Sequence, residues 1–269
     1  MGGEGRLVEP AIARCVSAHL SPGAGLFLSN SMPCRDMDTF AQHSGPGNLC
    51  HVAMNRGANG IDGVVSSALG YAVGLRRPVT LLIGDMALLH DVNALHLLRQ
   101  IPHPITIVCV NNGGSAIFSF LPIARHADVF SPYFDTPHDL SFEGVCSTFG
   151  VRYARATTPQ EFERIYRESQ QPQQQQSSSC SATTTVQHLF IEAVTDRADN
   201  VQVHRQLGAA ATTAAHHVLL NDVHLAWDLH LPGGTLHSGR SSSGSSSSGR
   251  GARGTVVLLH GFMGSRQDW

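Results

Sequence analysis

The chain has 269 residues with 18 basic and 20 acidic side chains, and its near-neutral charge gives no basic field that would hold a nucleic acid. Every basic residue other than histidine is arginine, and the absence of lysine excludes Schiff-base lysine enzymes, Walker-type nucleotide hydrolases and protein kinases. Because its longest apolar runs are far shorter than the roughly 20 residues that cross a bilayer, we expect no membrane span. No targeting segment is visible, so the residues alone predict a soluble cytoplasmic protein.

Short apolar segments rich in β-branched residues alternate with longer amphipathic segments. Such alternation predicts an α/β fold built on a doubly wound parallel sheet. In chain order the predicted elements are a helix over Val8–Leu20, strand Leu26–Ser29, helix Gly63–Leu75, strand Val79–Ile83, helix Leu88–Arg99, strand Ile105–Val110, helix Pro159–Glu168 and strand Leu189–Ala193.

Composition divides the chain into four regions. Residues 1–206 carry the alternating pattern, interrupted by a Gln-, Ser- and Thr-rich insertion at 169–185 that cannot bury a core. Residues 207–237 are rich in alanine and histidine, and their role stays open. Residues 238–254 are almost wholly Ser, Gly and Arg, which is typical of a disordered linker, and a new strand begins in residues 255–269.

Polar motifs follow two of the predicted strands directly. Gly84-Asp85 ends the strand at 79–83, and Asn111-Asn112-Gly113-Gly114 ends the next one. Ligands bind at the carboxyl ends of strands in an open parallel sheet. A carboxylate, an amide oxygen and a backbone carbonyl together suit Mg²⁺ completed by phosphate oxygens. Alone, Asp85 and Asn112 would be ordinary turn residues, but their placement after two buried strands favours a binding site.

These motifs resemble the diphosphate-binding signature of thiamine diphosphate enzymes. The resemblance is more specific to the 2-succinyl-5-enolpyruvyl-6-hydroxy-3-cyclohexene-1-carboxylate synthases, which are transferases of menaquinone and phylloquinone biosynthesis. It covers about residues 5–206. The blocks that carry it are Ser29–Asp36, Asn55–Gly63, Gly84–Ala87 with His90–Asn93, and Asn111–Pro122.

The resemblance implies thiamine diphosphate and Mg²⁺ as cofactors. It makes Asp85, Asn112 and the carbonyl of Gly114 the metal ligands. It also implies that Ile61 is the apolar wedge that holds the thiazolium ring against the aminopyrimidine. The implied cofactor-binding residues are Ile61, Gly84, Asp85, Met86, Ala87, Asn112, Gly114 and Ile117.

The substrates implied by the resemblance are 2-oxoglutarate and isochorismate. Their carboxylates would be bound by Ser31, Arg35 and Arg56, a role that suits the bidentate guanidinium fork. An isolated arginine is more often a solvated surface charge, so these assignments depend on the sequence blocks around them. Phe118 and Leu121, together with Ile117, would form an apolar wall near the cyclohexadiene ring.

Members of this family also have a pyrimidine-binding domain with a ring-bonding glutamate, and no glutamate here, Glu9 included, has a matching context. We therefore expect no catalytic residue in this chain and a site completed by the pyrimidine domain of a partner subunit in a homo-oligomer. Two alternatives stay open: a fragment that only binds the cofactor or is inert, and another carboligase of the acetolactate synthase type.

The last residues resemble a second enzyme. His260-Gly261-Phe262-Met263-Gly264 after a predicted strand is similar to the first strand and oxyanion loop of α/β-hydrolases, specifically of 2-succinyl-6-hydroxy-2,4-cyclohexadiene-1-carboxylate synthases. This resemblance implies a multifunctional fusion like those of plants and algae, and with it a plastid location.

Overall fold

The computed structural model of the protein describes residues 5–42, 51–56, 59–171 and 186–221, with side chains up to residue 209. The chain divides into two compact units, the first reaching Val201 and the second beginning at Gln202. Most of the predicted insertion, the predicted linker at 238–254 and the hydrolase-like residues 255–269 lie outside the described residues. The predicted domain boundaries therefore stay predictions.

The first unit contains a six-stranded sheet in which every strand pair is parallel, as the alternating pattern predicts. The strands are β1 (Gly25–Leu28), β2 (His51–Met54), β3 (Val79–Gly84), β4 (Ile105–Asn111), β5 (Arg152–Ala156) and β6 (Leu189–Val194). Their order across the sheet is β2-β1-β3-β4-β6-β5.

Helices connect the strands. The α-helices are α1 (Glu9–His19), α2 (Met32–Phe40), α3 (Val64–Leu75), α4 (Asp85–His90), α5 (Ala127–Phe130), α6 (Glu143–Phe149), α7 (Pro159–Ser169) and α8 (Arg197–Asn221). Short 3₁₀ helices span Val92–Gln100, Ala116–Phe120 and Pro122–Arg125, and one π-helical turn spans Ser131–Asp135. Among the described helices, none combines the length and the apolar composition that a membrane span requires.

The single helix predicted over Leu88–Arg99 is wrong. The structure has α4 up to His90 and then a 3₁₀ helix from Val92. The break falls at Asp91, whose carboxylate accepts hydrogen bonds from the backbone N–H of Ser66 at 2.8 Å and from its hydroxyl at 3.2 Å. The segment therefore turns at Asp91 to meet the start of α3.

Two apolar cores cover the two faces of the sheet. Successive strand side chains point to opposite faces, so Phe27 lies in one core while Leu26 and Leu28 lie in the other. The first core is completed by α3, α6 and the 3₁₀ helix at 92–100, and the second by α1, α2 and α7. Because each fully buried large apolar side chain contributes about 1.5–3 kcal/mol, both faces hold the sheet in place.

The topology creates a crevice at the carboxyl ends of β1 and β3. The chain leaves β1 through α2 towards one edge of the sheet and returns to β3 through α3, which packs on the opposite face. Ligands of doubly wound proteins bind where the strand order reverses in this way. The fold alone therefore marks this crevice as the place to look for a site.

Candidate functional site

A cavity of about 710 Å³ opens at the carboxyl ends of β1 to β4. The structure brings together on its wall all of the site residues that the sequence predicts: Ser31, Arg35, Arg56, Ile61, Gly84, Asp85, Met86, Ala87, Asn112, Gly114, Ile117, Phe118 and Leu121. Their roles stay predictions, but residues spread over 91 positions of sequence share one cavity. Sequence reasoning missed other residues at the site, among them Glu9, Asn30 and His138.

Asp85 joins the end of β3 to the loop after β4. It is 2% exposed, and its Oδ1 accepts a hydrogen bond from the backbone N–H of Met86 at 2.6 Å. Its Oδ2 accepts from the backbone N–H groups of Asn112, Gly113 and Gly114 at 3.2, 2.9 and 3.0 Å. The carboxylate therefore shapes the loop that carries the other predicted metal ligands.

His138 also faces this carboxylate. Its Nε2 lies 3.2 Å from Oδ2 of Asp85, and its side chain is 11% exposed. Burial raises the pKa of Asp85 above its ordinary value, while the backbone donors and the nearby His138 act to lower it. No motif in the sequence points to His138, because it lies in a loop that is far along the chain from both polar motifs.

The loop after β4 requires glycine. Gly113 and Gly114 have φ values of +75° and +146°, which side-chain-bearing residues rarely adopt. A Cβ on Gly114 would lie 2.5 Å from the carbonyl oxygen of Asp135 and 2.7 Å from that of Thr136. The carbonyl of Gly114 accepts from the N–H of Ala116 at 3.0 Å and keeps a second lone pair.

The hydrogen bonding of the Asn112 side-chain amide bears most directly on the predicted metal site. Its Nδ2 donates to Oε1 of Glu9 at 2.8 Å, while its Oδ1 is buried and has no hydrogen-bond partner in the described part of the chain. Buried oxygens without a partner call for an explanation such as an ion. The amide oxygen, the Asp85 carboxylate and the Gly114 carbonyl are hard donors that fit Mg²⁺.

A cluster of three or more His, Cys, Asp or Glu side chains able to hold a metal does not occur among the described residues. The predicted donor set contains a single acidic side chain and draws its other oxygens from an amide and the backbone. Such a set suits a hard cation that also takes phosphate and water ligands, rather than zinc.

The carboxyl ends of β1 and β2 carry cationic side chains. Ser31 precedes α2 with a φ of +71°, and Nη1 of Arg35 donates to its carbonyl oxygen at 2.8 Å. Nη1 of Arg56 donates to Sγ of Cys34 at 3.8 Å. Both arginines are half-buried on the cavity wall, in a position to receive an anionic group.

Asn30 holds the loop that carries Arg56 and Ile61. It is 2% exposed, and its Nδ2 donates to the carbonyl oxygens of Asn55 at 2.7 Å and Gly60 at 2.5 Å. Asn30 lies in the sequence block at 29–36, so that block could have pointed to it. Its buried amide therefore ties β1 to the turn after β2.

An apolar wall closes another side of the cavity. Ile117 and Phe118 lie on the 3₁₀ helix at 116–120, and Leu121 follows it. The ring of Phe118 packs edge-on against Phe134 with centroids 5.7 Å apart. This wall can exclude water from an apolar ring without supplying charge.

Comparisons with known proteins show which family the chain belongs to. The family described as "Thiamine pyrophosphate enzyme, C-terminal TPP binding domain" matches residues 37–181. The match includes the predicted metal ligands and the apolar wall.

Curated relatives are named 2-succinyl-5-enolpyruvyl-6-hydroxy-3-cyclohexene-1-carboxylate synthase. The protein of Prosthecochloris aestuarii is 46% identical over 201 residues, which cover 75% of this chain and 32% of the relative. The protein of Rubrobacter xylanophilus is 46% identical over 206 residues, covering 76% and 33%. The chain thus spans about a third of the length of these relatives.

Among solved structures, a thiamine diphosphate-dependent 4-hydroxybenzoylformate decarboxylase of Rhodococcus jostii is similar with a TM-score of 0.54 and 20% identity. The similarity covers 73% of this chain and 34% of that one. At this identity the likeness concerns the fold alone.

Proposed function

Because the chain belongs to the thiamine pyrophosphate enzyme family through its C-terminal TPP-binding domain, we propose that it binds the diphosphate end of thiamine diphosphate through Mg²⁺. The site lies at the carboxyl ends of β3 and β4. The observation that carries this proposal is the unpartnered Oδ1 of Asn112, buried in the loop that the Asp85 carboxylate organises.

The proposed ion ligands are the carboxylate of Asp85, Oδ1 of Asn112 and the carbonyl of Gly114. Gly84, Met86 and Ala87 line the diphosphate, and Ile61 gives the cofactor an apolar contact on the cavity wall. When bound, thiamine diphosphate supplies a nucleophilic carbon and an electron sink for decarboxylation. The residues of this chain anchor and orient it.

We further propose that the complete enzyme is a decarboxylating carboligase acting on 2-oxoglutarate and isochorismate. The bond from the keto carbon of 2-oxoglutarate to its carboxylate breaks with loss of CO₂, and that carbon forms a bond to isochorismate. Arg35 and Arg56 bind substrate carboxylates together with Ser31, and Ile117, Phe118 and Leu121 pack against the carbocyclic ring. The names of the curated relatives support this reaction.

In this proposal the chain supplies the diphosphate half of the site, and the pyrimidine domain of a partner subunit supplies the ring-bonding glutamate. No residue here takes the proton-relay role. A plastid location and a fusion to a hydrolase-like segment are further predictions of the same resemblance.

The experiment combines the purified chain with the non-matching amino-terminal part of a curated relative, in the presence of Mg²⁺ and thiamine diphosphate. We expect CO₂ release and a carboligation product only when both parts, 2-oxoglutarate and isochorismate are present, and no turnover by the 269-residue chain alone. The Asp85→Ala chain is the inactive control.

Two outcomes would contradict the proposal. Acetolactate formation from pyruvate, with isochorismate ignored, would favour a carboligase of the acetolactate synthase type. Decarboxylation of 2-oxoglutarate by the isolated chain would show that no pyrimidine domain is needed.

A further inference from the structure

Glu9 is a buried acidic residue at the proposed site to which neither the family resemblance nor the proposed reaction gives a role. It is the first residue of α1, is 3% exposed and lies on the cavity wall. It stands 103 positions before Asn112 in sequence, yet the two side chains are in direct contact. Burying a carboxylate costs free energy unless the group is hydrogen-bonded, so the hydrogen bond to Asn112 helps to explain how Glu9 can be buried.

The contact orients an amide. Oε1 of Glu9 accepts a hydrogen bond from Nδ2 of Asn112 at 2.8 Å. A carboxylate accepts hydrogen bonds, and a side-chain amide has one donating and one accepting end. The nitrogen of Asn112 therefore has to face Glu9, and the oxygen is turned away from it.

The oxygen is the end that a cation requires. Oδ1 of Asn112 is among the buried side-chain atoms that have no hydrogen-bond partner in the described ranges. If the amide rotated by half a turn, its NH₂ group would stand in that position and would present donors to a cation. Rotation would thus replace a ligand by a repulsive group.

Glu9 is itself held in place from both sides. Its backbone N–H donates to Oδ1 of Asn200 at 3.2 Å, and Asn200 is fully buried in the first turn of α8. Two residues earlier, the N–H of Leu7 donates to the carbonyl of Thr157 at 3.0 Å. The start of α1 is therefore a fixed support for the Glu9 carboxylate.

We propose that Glu9 is a positioning residue that holds the side-chain amide of Asn112 with its oxygen available to the divalent cation. The inference rests on the proposed Mg²⁺–diphosphate site and adds an outer residue to it. Outer residues that orient metal ligands typically change metal affinity 10- to 100-fold when replaced.

Two substitutions separate positioning from charge. Glu9→Gln keeps the reach of the side chain and an oxygen that can accept from Asn112, but removes the charge. Glu9→Asp keeps the charge but is one methylene shorter, so it cannot reach Asn112 from the same backbone position. If Glu9 positions the Asn112 amide, Glu9→Asp should weaken Mg²⁺ binding more than Glu9→Gln does. If Glu9 acts only by attracting the cation, Glu9→Gln should weaken it more.

The first measurement is a calorimetric titration of Mg²⁺ into the full chain with thiamine diphosphate in large excess over the chain. We expect the apparent Kd for Mg²⁺ to rise about 10- to 100-fold in Glu9→Asp and by a smaller factor in Glu9→Gln. Asp91→Asn is the matched control, because Asp91 is a buried carboxylate off the cavity wall that bonds Ser66. We expect it to leave the Kd unchanged.

The second measurement needs no ion or cofactor. In the NMR spectrum of the chain, the side-chain amide protons of Asn112 should exchange slowly with water in the wild type and in Glu9→Gln, and rapidly in Glu9→Asp. The exchange rate therefore reports on the Asn112 side chain even in a variant that binds Mg²⁺ too weakly for calorimetry.

The outcomes are distinct. Weaker Mg²⁺ binding in Glu9→Gln than in Glu9→Asp, or wild-type affinity in both, would overturn the positioning role. So would an unchanged Asn112 amide signal in Glu9→Asp, whatever the metal titration gives. A wild-type chain that binds no Mg²⁺ with thiamine diphosphate would instead contradict the proposed function.

Discussion

The two halves of the cavity are built in different ways. At the ends of β3 and β4, Asp85 is almost fully buried and its carboxylate accepts four backbone hydrogen bonds. At the ends of β1 and β2, Arg35 and Arg56 are half-buried, and long flexible side chains carry their charges. Backbone hydrogen bonds therefore fix the half at the ends of β3 and β4, whereas the ends of long side chains form the half at β1 and β2.

The difference matches the demands of the two proposed ligands. A divalent cation tolerates little error in the position of its ligands, so its half needs a rigid loop. The proposed substrate carboxylates would instead be bound by guanidinium forks at the ends of long side chains. Substitutions in the first half should therefore affect cofactor binding, and those in the second half should affect substrate use with the cofactor retained.

The largest effect is expected for Asp85→Ala. It removes the charged metal ligand and the acceptor of the loop N–H groups, so Mg²⁺-dependent affinity for thiamine diphosphate should fall by more than about 100-fold, beyond the range for outer residues. Calorimetry of the assembled enzyme measures it. Asn112→Leu should have a smaller effect because it removes a neutral oxygen. Undiminished affinity in Asp85→Ala would refute the metal assignment.

Gly114→Ala should have the next largest effect. The added Cβ would stand 2.5 Å from the carbonyl oxygen of Asp135 at a φ of +146°, and such strain costs at least about 1–3 kcal/mol. We expect a lower melting temperature and roughly 10-fold weaker cofactor binding. Melting curves and calorimetry measure the two effects.

The matched control is Gly144→Ala. Gly144 lies in α6, where a Cβ would meet nothing within 4 Å. This replacement should raise stability by up to about 1 kcal/mol through helix propensity and leave cofactor binding unchanged. Equal effects at the two glycines would show that the loop after β4 is not specially constrained.

The smallest effect is expected for Arg56→Lys, in the other half of the cavity. Lysine keeps the charge but loses the bidentate fork, so kcat/KM for 2-oxoglutarate or isochorismate should fall by roughly 10-fold, about 1.4 kcal/mol, while cofactor affinity stays the same. Steady-state kinetics of the assembled enzyme decide it. Arg164→Lys is the control, because Arg164 is exposed on α7 and pairs with Glu168. An unchanged kcat/KM in Arg56→Lys would indicate that Arg56 takes no part in substrate binding.

The sequence predicted the buried part of the sheet and missed its edges. The four strands predicted within residues 1–206 became β1, β3, β4 and β6, whose side chains are almost all buried and mostly apolar. The two strands it missed, β2 and β5, lie at the edges and are only partly buried. Partial exposure permits polar side chains, so edge strands lack the apolar pattern on which the prediction depends.

The site divides in the same way. The position of Asp85 and Asn112 at the cavity could be predicted, because each lies in a contiguous motif that follows a strand. Glu9 and His138 could not, because each reaches the site from a distant segment and its role depends on a single contact. Such contacts follow from tertiary packing and leave no local pattern.

We propose that this chain holds a diphosphate through Mg²⁺ at the ends of β3 and β4. Calorimetric titration of thiamine diphosphate into the wild-type chain, with Mg²⁺ and again with a chelator in place of Mg²⁺, tests this binding. We expect saturable binding of one cofactor per chain with Mg²⁺ and no binding with the chelator. Equal binding under both conditions, or no binding under either, would contradict it.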